Sequence, residues 1–207
     1  MVTRMTRPLI ELVFDFASPN AYLLWQVLPD LAQRHDADLR LVPCLLGGLF
    51  KLTGNQAPMN AFAGIKGKLD YEALETRRFI ACHGLTRFSM NPHFPINTLM
   101  LMRGLVAARH RGEDVAYVAA GLAGMWEDGR KMDDPATFVA VLDAAGLDGA
   151  ALLAATQDAG IKAELLAATE AAAARGAFGI PTVFVDGEIY FGKERLAQIE
   201  AQLAASR

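Results

Sequence analysis

The sequence is poor in the residues that usually build redox and metal sites. Cys44 and Cys82 are its only two cysteines, and their spacing fits neither a C-x-x-C pair nor a zinc site. We therefore expect two free, buried thiols in a reducing compartment. The four histidines share no metal-binding spacing and are expected to be surface or structural residues: His35, His83, His93 and His110. The sequence thus predicts no metal site.

Signals of several other ligand and partner classes are also absent. There is no G-x-G-x-x-G fingerprint, no P-loop and no G-x-S-x-G nucleophile motif. The net charge is -3, and no run of Lys and Arg provides a nucleic-acid footprint. Basic residues between Met1 and Pro8 precede an apolar run of only strand length. We therefore expect no signal peptide, no membrane partner and a cytoplasmic location.

Apolar periodicity divides the chain into a mixed first part, a helical middle and a mixed last part. A chain of 207 residues, 53% of them hydrophobic, can bury a sizeable core. The first part predicts a strand over Leu9–Phe16, a helix over Pro19–Arg34 and a strand over Leu39–Leu46. Pro29 should kink or break the helix near Trp25. This β-α-β order favours two parallel strands.

The remainder of the chain predicts a helical insertion followed by a hairpin and a last helix. Pro43 interrupts the second strand and favours either an edge position or a bulge. The segment Gly47–Pro58 predicts a long polar loop, which is either a linker or a carrier of binding groups. Most of residues 71–175 read as helical. Ile180–Val185 then predicts a strand and a hairpin, and Lys193–Ala205 an amphipathic helix. The order indicates a split α/β domain with a helical insertion.

A hydroxyl group lies where the first strand meets the first helix. Ser18 is a preferred helix N-cap, and Pro19 suits the first helical position. Unpaired N–H groups at a helix N-terminus favour a bound anion or thiolate. A serine that only caps the helix would give the same pattern, so both interpretations stay open. No histidine and carboxylate pair with Ser18 as a catalytic triad would require.

A second junction precedes the last part of the chain, at Ile180-Pro181. A proline at the start of a strand is a candidate for a cis peptide bond, and an ordinary trans proline is the alternative. Because proline lacks an N–H, the residue before it is free to turn its own backbone groups towards a ligand.

Five segments together resemble a known group of proteins. In chain order they are Phe14–Leu23, Thr53–Asn55, Asn91–Pro95, Gly176–Thr182 and Phe191–Arg195. With the element order, they resemble the DsbA-type thioredoxin fold, and in particular 2-hydroxychromene-2-carboxylate isomerases and kappa-class glutathione transferases. The resemblance implies an α/β, thioredoxin-like fold with a large all-helical insertion. Residues 1–50 and 176–207 would form the thioredoxin-like domain, and residues 51–175 the inserted domain.

The resemblance also implies a glutathione site around the serine. In these proteins serine replaces the first cysteine of the redox pair, and Ser18 would stabilise the glutathione thiolate. Asn20 and Asn55 would help to hold the tripeptide. Ile180 would pair its backbone with the cysteinyl part of glutathione, next to a cis Pro181. Because the turn has no cysteine to form a mixed disulfide, a disulfide oxidoreductase is disfavoured.

The remaining site residues implied by the resemblance are charged or amide side chains. Lys193 and Glu194 would receive the γ-glutamyl end, where the family usually has Ser or Asn followed by Asp. Glu194 keeps the charge that would meet the ammonium of glutathione, on a longer stem. Lys51 and Asn60 are looser candidates for binding an acidic substrate.

The implied activity is a glutathione-dependent isomerisation in aromatic catabolism. The substrate would be 2-hydroxychromene-2-carboxylate or a related small aromatic carboxylate. From 2-hydroxychromene-2-carboxylate the product would be trans-o-hydroxybenzylidenepyruvate. Glutathione would be regenerated and so act as a cofactor. Two alternatives remain, a kappa-type transferase that consumes glutathione and a non-catalytic thioredoxin-fold binder of thiols or peptides. On resemblance alone, a homodimer is expected.

Overall fold

Four strands form one mixed sheet in the computed structural model, which describes residues 7–205. They are β1, Leu9–Phe14; β2, Asp38–Pro43; β3, Thr182–Val185; and β4, Glu188–Phe191. The strand order is β2-β1-β3-β4. β1 runs parallel to β2 and antiparallel to β3, and β3 pairs antiparallel with β4. The predicted parallel pair and the edge position of the second strand are confirmed. Residues 1–6 of the basic N-terminal stretch lie outside the described residues.

The central strand β1 is covered on both faces, as its apolar sequence predicts. Residues from Ile10 to Phe14 are buried, including one charged side chain, Glu11. Glu11 pairs with Arg175 at 2.5 Å and also with Arg40. The strand ends two residues earlier than predicted, because Asp15 turns the chain out of the sheet: its carbonyl accepts the amide of Ser18 at 3.2 Å.

The first helical region is divided as its proline predicts. α1 spans Pro19–Trp25, and α2 spans Leu28–Arg34 with Pro29 in its first turn. Residues 26 and 27 lie between the two helices. The break near Trp25 is therefore confirmed.

Helices fill the chain between β2 and β3, which confirms the predicted helical insertion. They are α3, Leu46–Thr53; α4, Pro58–Ala61; α5, Lys68–His83; α6, Leu99–His110; α7, Asp114–Trp126; α8, Pro135–Ala144; α9, Gly149–Ala155; and α10, Ala159–Ala174. After β4, a 3-10 turn, Lys193–Arg195, leads into α11, Leu196–Ala205. The predicted last helix therefore begins three residues late. The predicted domain boundary at residue 50 stays a prediction, and one helix, α3, continues across it.

The predicted polar loop over Gly47–Pro58 is wrong at its start, because α3 occupies most of it. Contacts from distant residues offset the low helix propensity of two glycines. Leu49 is buried, and an added Cβ on Gly48 would lie 3.3 Å from the Thr169 methyl group, so α3 approaches α10 closely. The Thr169 hydroxyl also accepts the amide of Leu45 at 3.0 Å. Tertiary packing thus determines this helix.

One apolar core joins the sheet to the helical block. Its largest buried side chains include Trp126, Tyr117, Phe14 and Phe16. Cys44 belongs to this core, and burial raises its pKa to about 12.

The exposed thiol of Cys82 differs from the buried thiol of Cys44. Cys82 is exposed on α5, so the prediction that both thiols are buried is wrong for it. Within residues 7–205, no helix has the length and apolar character needed to cross a membrane. In the same part of the chain, no three histidine, cysteine, aspartate or glutamate side chains cluster as metal ligands would.

Candidate active site

The hydroxyl of Ser18 joins the start of α1 to a segment 162 residues away in sequence. Its Oγ accepts the amide of Ala21 at 3.2 Å, which confirms the predicted N-cap. The same hydroxyl donates to the carbonyl oxygen of Ile180 at 2.9 Å. Only 5% of Ser18 is exposed. The serine thus does more than cap its helix, because it also holds two distant segments together.

The backbone of Ile180 offers one unused donor beside this hydroxyl. The Ile180–Pro181 peptide bond is cis, as predicted, and both residues precede β3. The Ile180 carbonyl accepts from Ser18, whereas its N–H finds no acceptor anywhere in residues 7–205. Ile180 is buried. A buried N–H without a partner is uncommon and costly, so this group is a natural point of attachment for a ligand carbonyl.

Asn55 reaches the same segment from the other side. It follows Gly54, which ends α3 with a φ of 69°. The Asn55 side-chain amide donates to the carbonyl of Phe178 at 2.7 Å, and its oxygen accepts the amide of Gln56 at 2.8 Å. Asn55 is itself exposed. The structure therefore bonds Asn55 to a residue two positions before Ile180.

The 3-10 turn after β4 lies on the third side of the site. The amide of Gly192 donates to the carbonyl of Pro181 at 3.0 Å. Lys193 is 2% exposed, and its ammonium contacts the Glu194 carboxylate at 2.5 Å and lies 5.7 Å from the centre of the Phe79 ring. By contrast, 44% of the Glu194 side chain is exposed. Of this pair, Glu194 offers its charge to solvent.

An aromatic pair borders the site, and no sequence signal singles it out. The rings of Phe178 and Phe191 lie 4.5 Å apart, and each is about two-fifths exposed. Gly179 allows this arrangement, because an added Cβ would lie 2.8 Å from the Phe191 ring. Both phenylalanines occur in segments that carry the resemblance, but strand alternation alone does not show that they meet.

Three predicted site residues are not hydrogen-bonded to this cluster. Asn20 is half-buried in the first turn of α1, adjacent to Pro19. Lys51 is exposed on α3 and Asn60 is exposed on α4. In the described part of the chain, none of the three has a hydrogen bond to Ser18 or to the segment before β3.

A buried carboxylate beneath the serine turn is absent from the residues that the sequence predicts for the site. Asp15 is fully buried and accepts three hydrogen bonds, from the Ala17 amide at 2.9 Å, the Leu46 amide at 2.7 Å and the Thr98 hydroxyl at 2.6 Å. Burial raises the pKa of Asp15, and the three donors oppose that rise. The available signal is a single acidic residue within an otherwise apolar run.

The hydroxyl of Tyr22, one turn beyond Ser18 on α1, is already engaged. It donates to Glu127 at 2.8 Å, and Glu127 also pairs with Arg87. Burial, followed by the hydrogen bond to Glu127, raises the pKa of Tyr22. Ser18 is consequently the hydroxyl in this part of α1 that faces Ile180.

Comparisons with known proteins agree with the fold of this chain. A family model described as "DSBA-like thioredoxin domain" matches residues 9–204. A 2-hydroxychromene-2-carboxylate isomerase of Sphingobium xenophagum is 30% identical over 94% of this chain and 97% of its own. Glutathione S-transferase kappa 1 of Rattus norvegicus is 29% identical over 90% of this chain and 87% of its own. A solved 2-hydroxychromene-2-carboxylate isomerase superposes with a TM-score of 0.81 at 26% identity, over 95% of each chain.

Proposed function

The chain belongs to the DSBA-like thioredoxin domain family, and on that basis we propose that it is a glutathione-dependent isomerase of 2-hydroxychromene-2-carboxylate or a related aromatic intermediate. The Sphingobium xenophagum relative and the solved isomerase support the reaction class. The observation that carries the proposal is the pairing of the Ser18 hydroxyl with the Ile180 backbone, beside an Ile180 N–H that lacks a partner within residues 7–205.

The residues around Ser18 fit a bound thiol-containing peptide. An ordinary thiol has a pKa of about 8.5 and is mostly protonated at neutral pH, so a site that uses it must favour the thiolate. The Ser18 hydroxyl would donate to the thiolate sulfur after leaving the Ile180 carbonyl. The Ile180 N–H and carbonyl would then pair with the cysteinyl backbone, as one strand edge pairs with another.

The rest of the tripeptide would extend along the surface on either side of this anchor. Asn55 would orient the peptide next to Phe178, and Asn20 lies close to the serine in sequence. The exposed carboxylate of Glu194 would meet the ammonium of the γ-glutamyl end. Lys193 would act by holding Glu194 in place, because its own ammonium is buried.

The aromatic substrate would bind where apolar surface and a cation are both available. Phe178 and Phe191 would form an apolar wall against its ring. Lys51 and Asn60 remain the proposed partners of its carboxylate. When bound, glutathione would supply a thiolate nucleophile that is regenerated at the end of the isomerisation, so the chain's residues need only bind, orient and stabilise charge.

A glutathione transferase of the kappa type is the second candidate. The relative from Rattus norvegicus carries that name and is nearly as similar as the isomerase. The two activities differ in the fate of glutathione, which the isomerase returns and the transferase consumes. The same thiol site serves both.

A spectrophotometric assay distinguishes these candidates. Purified protein is mixed with 2-hydroxychromene-2-carboxylate and a sub-stoichiometric amount of glutathione, and the products are analysed by mass. Complete conversion with no loss of glutathione supports the isomerase. A thioether adduct in proportion to the glutathione consumed supports the transferase. Binding of glutathione without any turnover would leave a thiol-binding protein and overturn the enzymatic proposal.

A further inference from the structure

The carboxylate of Asp15 connects three segments that surround the proposed glutathione site. Its Oδ1 accepts from the Ala17 amide in the serine turn and from the Thr98 hydroxyl just before α6. Its Oδ2 accepts from the Leu46 amide, the first residue of α3. The Asp15 carbonyl accepts the amide of Ser18. A single side chain thus sets the serine turn against the start of two helices.

These bonds fit an ionised carboxylate, although the side chain has no cationic partner. Three donors point at Asp15 and a carboxylate can accept from all of them, which opposes the rise in pKa that burial causes. In the part of the chain that the structure describes, no Lys, Arg or His forms a salt bridge with it. Burial raises the pKa of the neighbouring Cys44 thiol, and Asp15 adds to that rise.

We propose that Asp15 is a positioning residue, which places α3, and with it Asn55, in register with Ser18 for glutathione binding. The inference rests on the proposed function. α3 begins at the amide that Asp15 holds and ends just before Asn55, which bonds to Phe178. Ser18 bonds to Ile180, two residues further on. The bond from Asn55 to Phe178 and the bond from Ser18 to Ile180 therefore both depend on segments that the Asp15 carboxylate holds.

The test replaces Asp15 with asparagine, which has the same size and no charge. When the asparagine side chain is oriented with its oxygen at the Oδ1 position, it retains the bonds from Ala17 and Thr98. Its NH2 group then faces the Leu46 N–H, so the link to α3 is lost. We expect Asp15→Asn to weaken the binding of glutathione, measured by titration calorimetry, by about tenfold. We also expect the bound thiol's pKa, measured by thiolate absorbance, to fall, since a nearby negative charge has been removed.

Two threonine variants provide the controls. Thr169→Val removes the bond from α10 to the Leu45 amide, at the same end of α3, without touching Asp15. It should lower thermal stability and leave glutathione affinity within about twofold of wild type, because the Asp15 bond remains. Thr98→Val removes one donor to the carboxylate and should weaken glutathione binding by about threefold.

The outcomes separate this inference from the proposed function. If the wild-type protein binds no glutathione, the proposed function fails, and the role of Asp15 fails with it. If wild type binds and Asp15→Asn binds equally well with an unchanged thiol pKa, only the positioning role is wrong. The role is also wrong if Thr169→Val weakens binding as much as Asp15→Asn does. Should Asp15→Asn not fold, Thr98→Val decides, and wild-type affinity in that variant overturns the inference.

Discussion

Replacing Ser18 with alanine removes two hydrogen bonds that have different consequences. One is the cap to the Ala21 amide at 3.2 Å, and the other is the bond to the Ile180 carbonyl at 2.9 Å. Loss of the cap costs about 1 kcal/mol of folding stability. The carbonyl of Ile180 loses its partner in a buried place, which adds about 1 kcal/mol or more. A protein stable by about 5–15 kcal/mol should still fold.

The effect on thiolate stabilisation follows from the bond that Ser18 must exchange. A hydrogen bond to a charged group is worth about 1.5–3 kcal/mol, and the neutral bond to Ile180 about 0.5–1.5 kcal/mol. If the Ile180 carbonyl stays unpaired when glutathione binds, the middle values of these two ranges leave Ser18 a net gain of about 1.2 kcal/mol, a factor of roughly 8. If the glutathione backbone replaces Ser18 at that carbonyl, the factor is roughly 10 to 100. The size of the loss thus reports on the pairing of Ile180.

The assay measures both the rate and the pKa of the bound thiol. Ser18→Ala should raise that pKa by about 0.9–2 units and lower glutathione-dependent turnover in proportion at neutral pH. Asp148→Ala is the matched control, because Asp148 caps α9, which has seven residues like α1, and lies in the helical block. Asp148→Ala should lose about as much folding stability as the loss of the Ser18 cap costs, and it should keep full activity. Ser18→Cys offers a competing thiol and should trap glutathione as a mixed disulfide under oxidising conditions.

One result would refute the reasoning. If Ser18→Ala retains full activity and the pKa of the bound thiol is unchanged, then Ser18 serves only as a cap and a structural bridge. The thiolate would then have to be stabilised by groups other than the Ser18 hydroxyl.

Three further predictions concern other residues and the assembly. Glu194→Gln should weaken glutathione binding by about fivefold or less, since the carboxylate is partly exposed. In competition calorimetry the variant should also lose the preference for glutathione over its deaminated analogue. A preference that survives would contradict the γ-glutamyl contact. The bonds from Arg175, and then Arg40, hold the pKa of Glu11 below its ordinary value of 4.5. Its contribution to stability is therefore complete above that value and is lost as the pH falls through the lower, folded-state pKa. Urea unfolding at a series of acidic pH values should show a flatter dependence for Glu11→Gln than for wild type, and equal slopes would count against the pairing. A homodimer is expected, and a monomer mass in solution scattering at micromolar concentration would contradict it.

The elements that the sequence predicts well are those with local signals. Ser18 and Pro19 define the start of α1 with two adjacent residues, and Pro29 divides the first helical region through its own missing N–H. The cis bond before Pro181 is a candidate on equally local grounds, because proline is the residue whose preceding peptide bond adopts the cis form at low cost. In each case the cause lies within a few residues of the effect.

The elements that the sequence predicts poorly depend on distant partners. α3 forms in spite of two glycines because Thr169 and Asp15 bind the amides at its start. Lys193 is implied to contact the ligand directly, but in the structure it is buried and Phe79 on α5 lies near its ammonium. Asp15 is one of two acidic residues in the predicted strand Leu9–Phe16, and its sequence does not show the donors that it receives from α3 and from the start of α6. None of these pairings leaves a pattern in the local sequence.

The bond between Ser18 and Ile180 joins two residues that are synthesised at very different times. Ser18 leaves the ribosome well before its partner, which follows 162 residues later, after the whole helical insertion. β1 likewise waits for β3 to complete its second edge. During synthesis the helical block can begin to pack before the segment that contains Ile180 exists, so a nascent chain has the serine but not the rest of the proposed thiol site. On the proposed function, the chain would become able to bind glutathione only in the last stretch of translation.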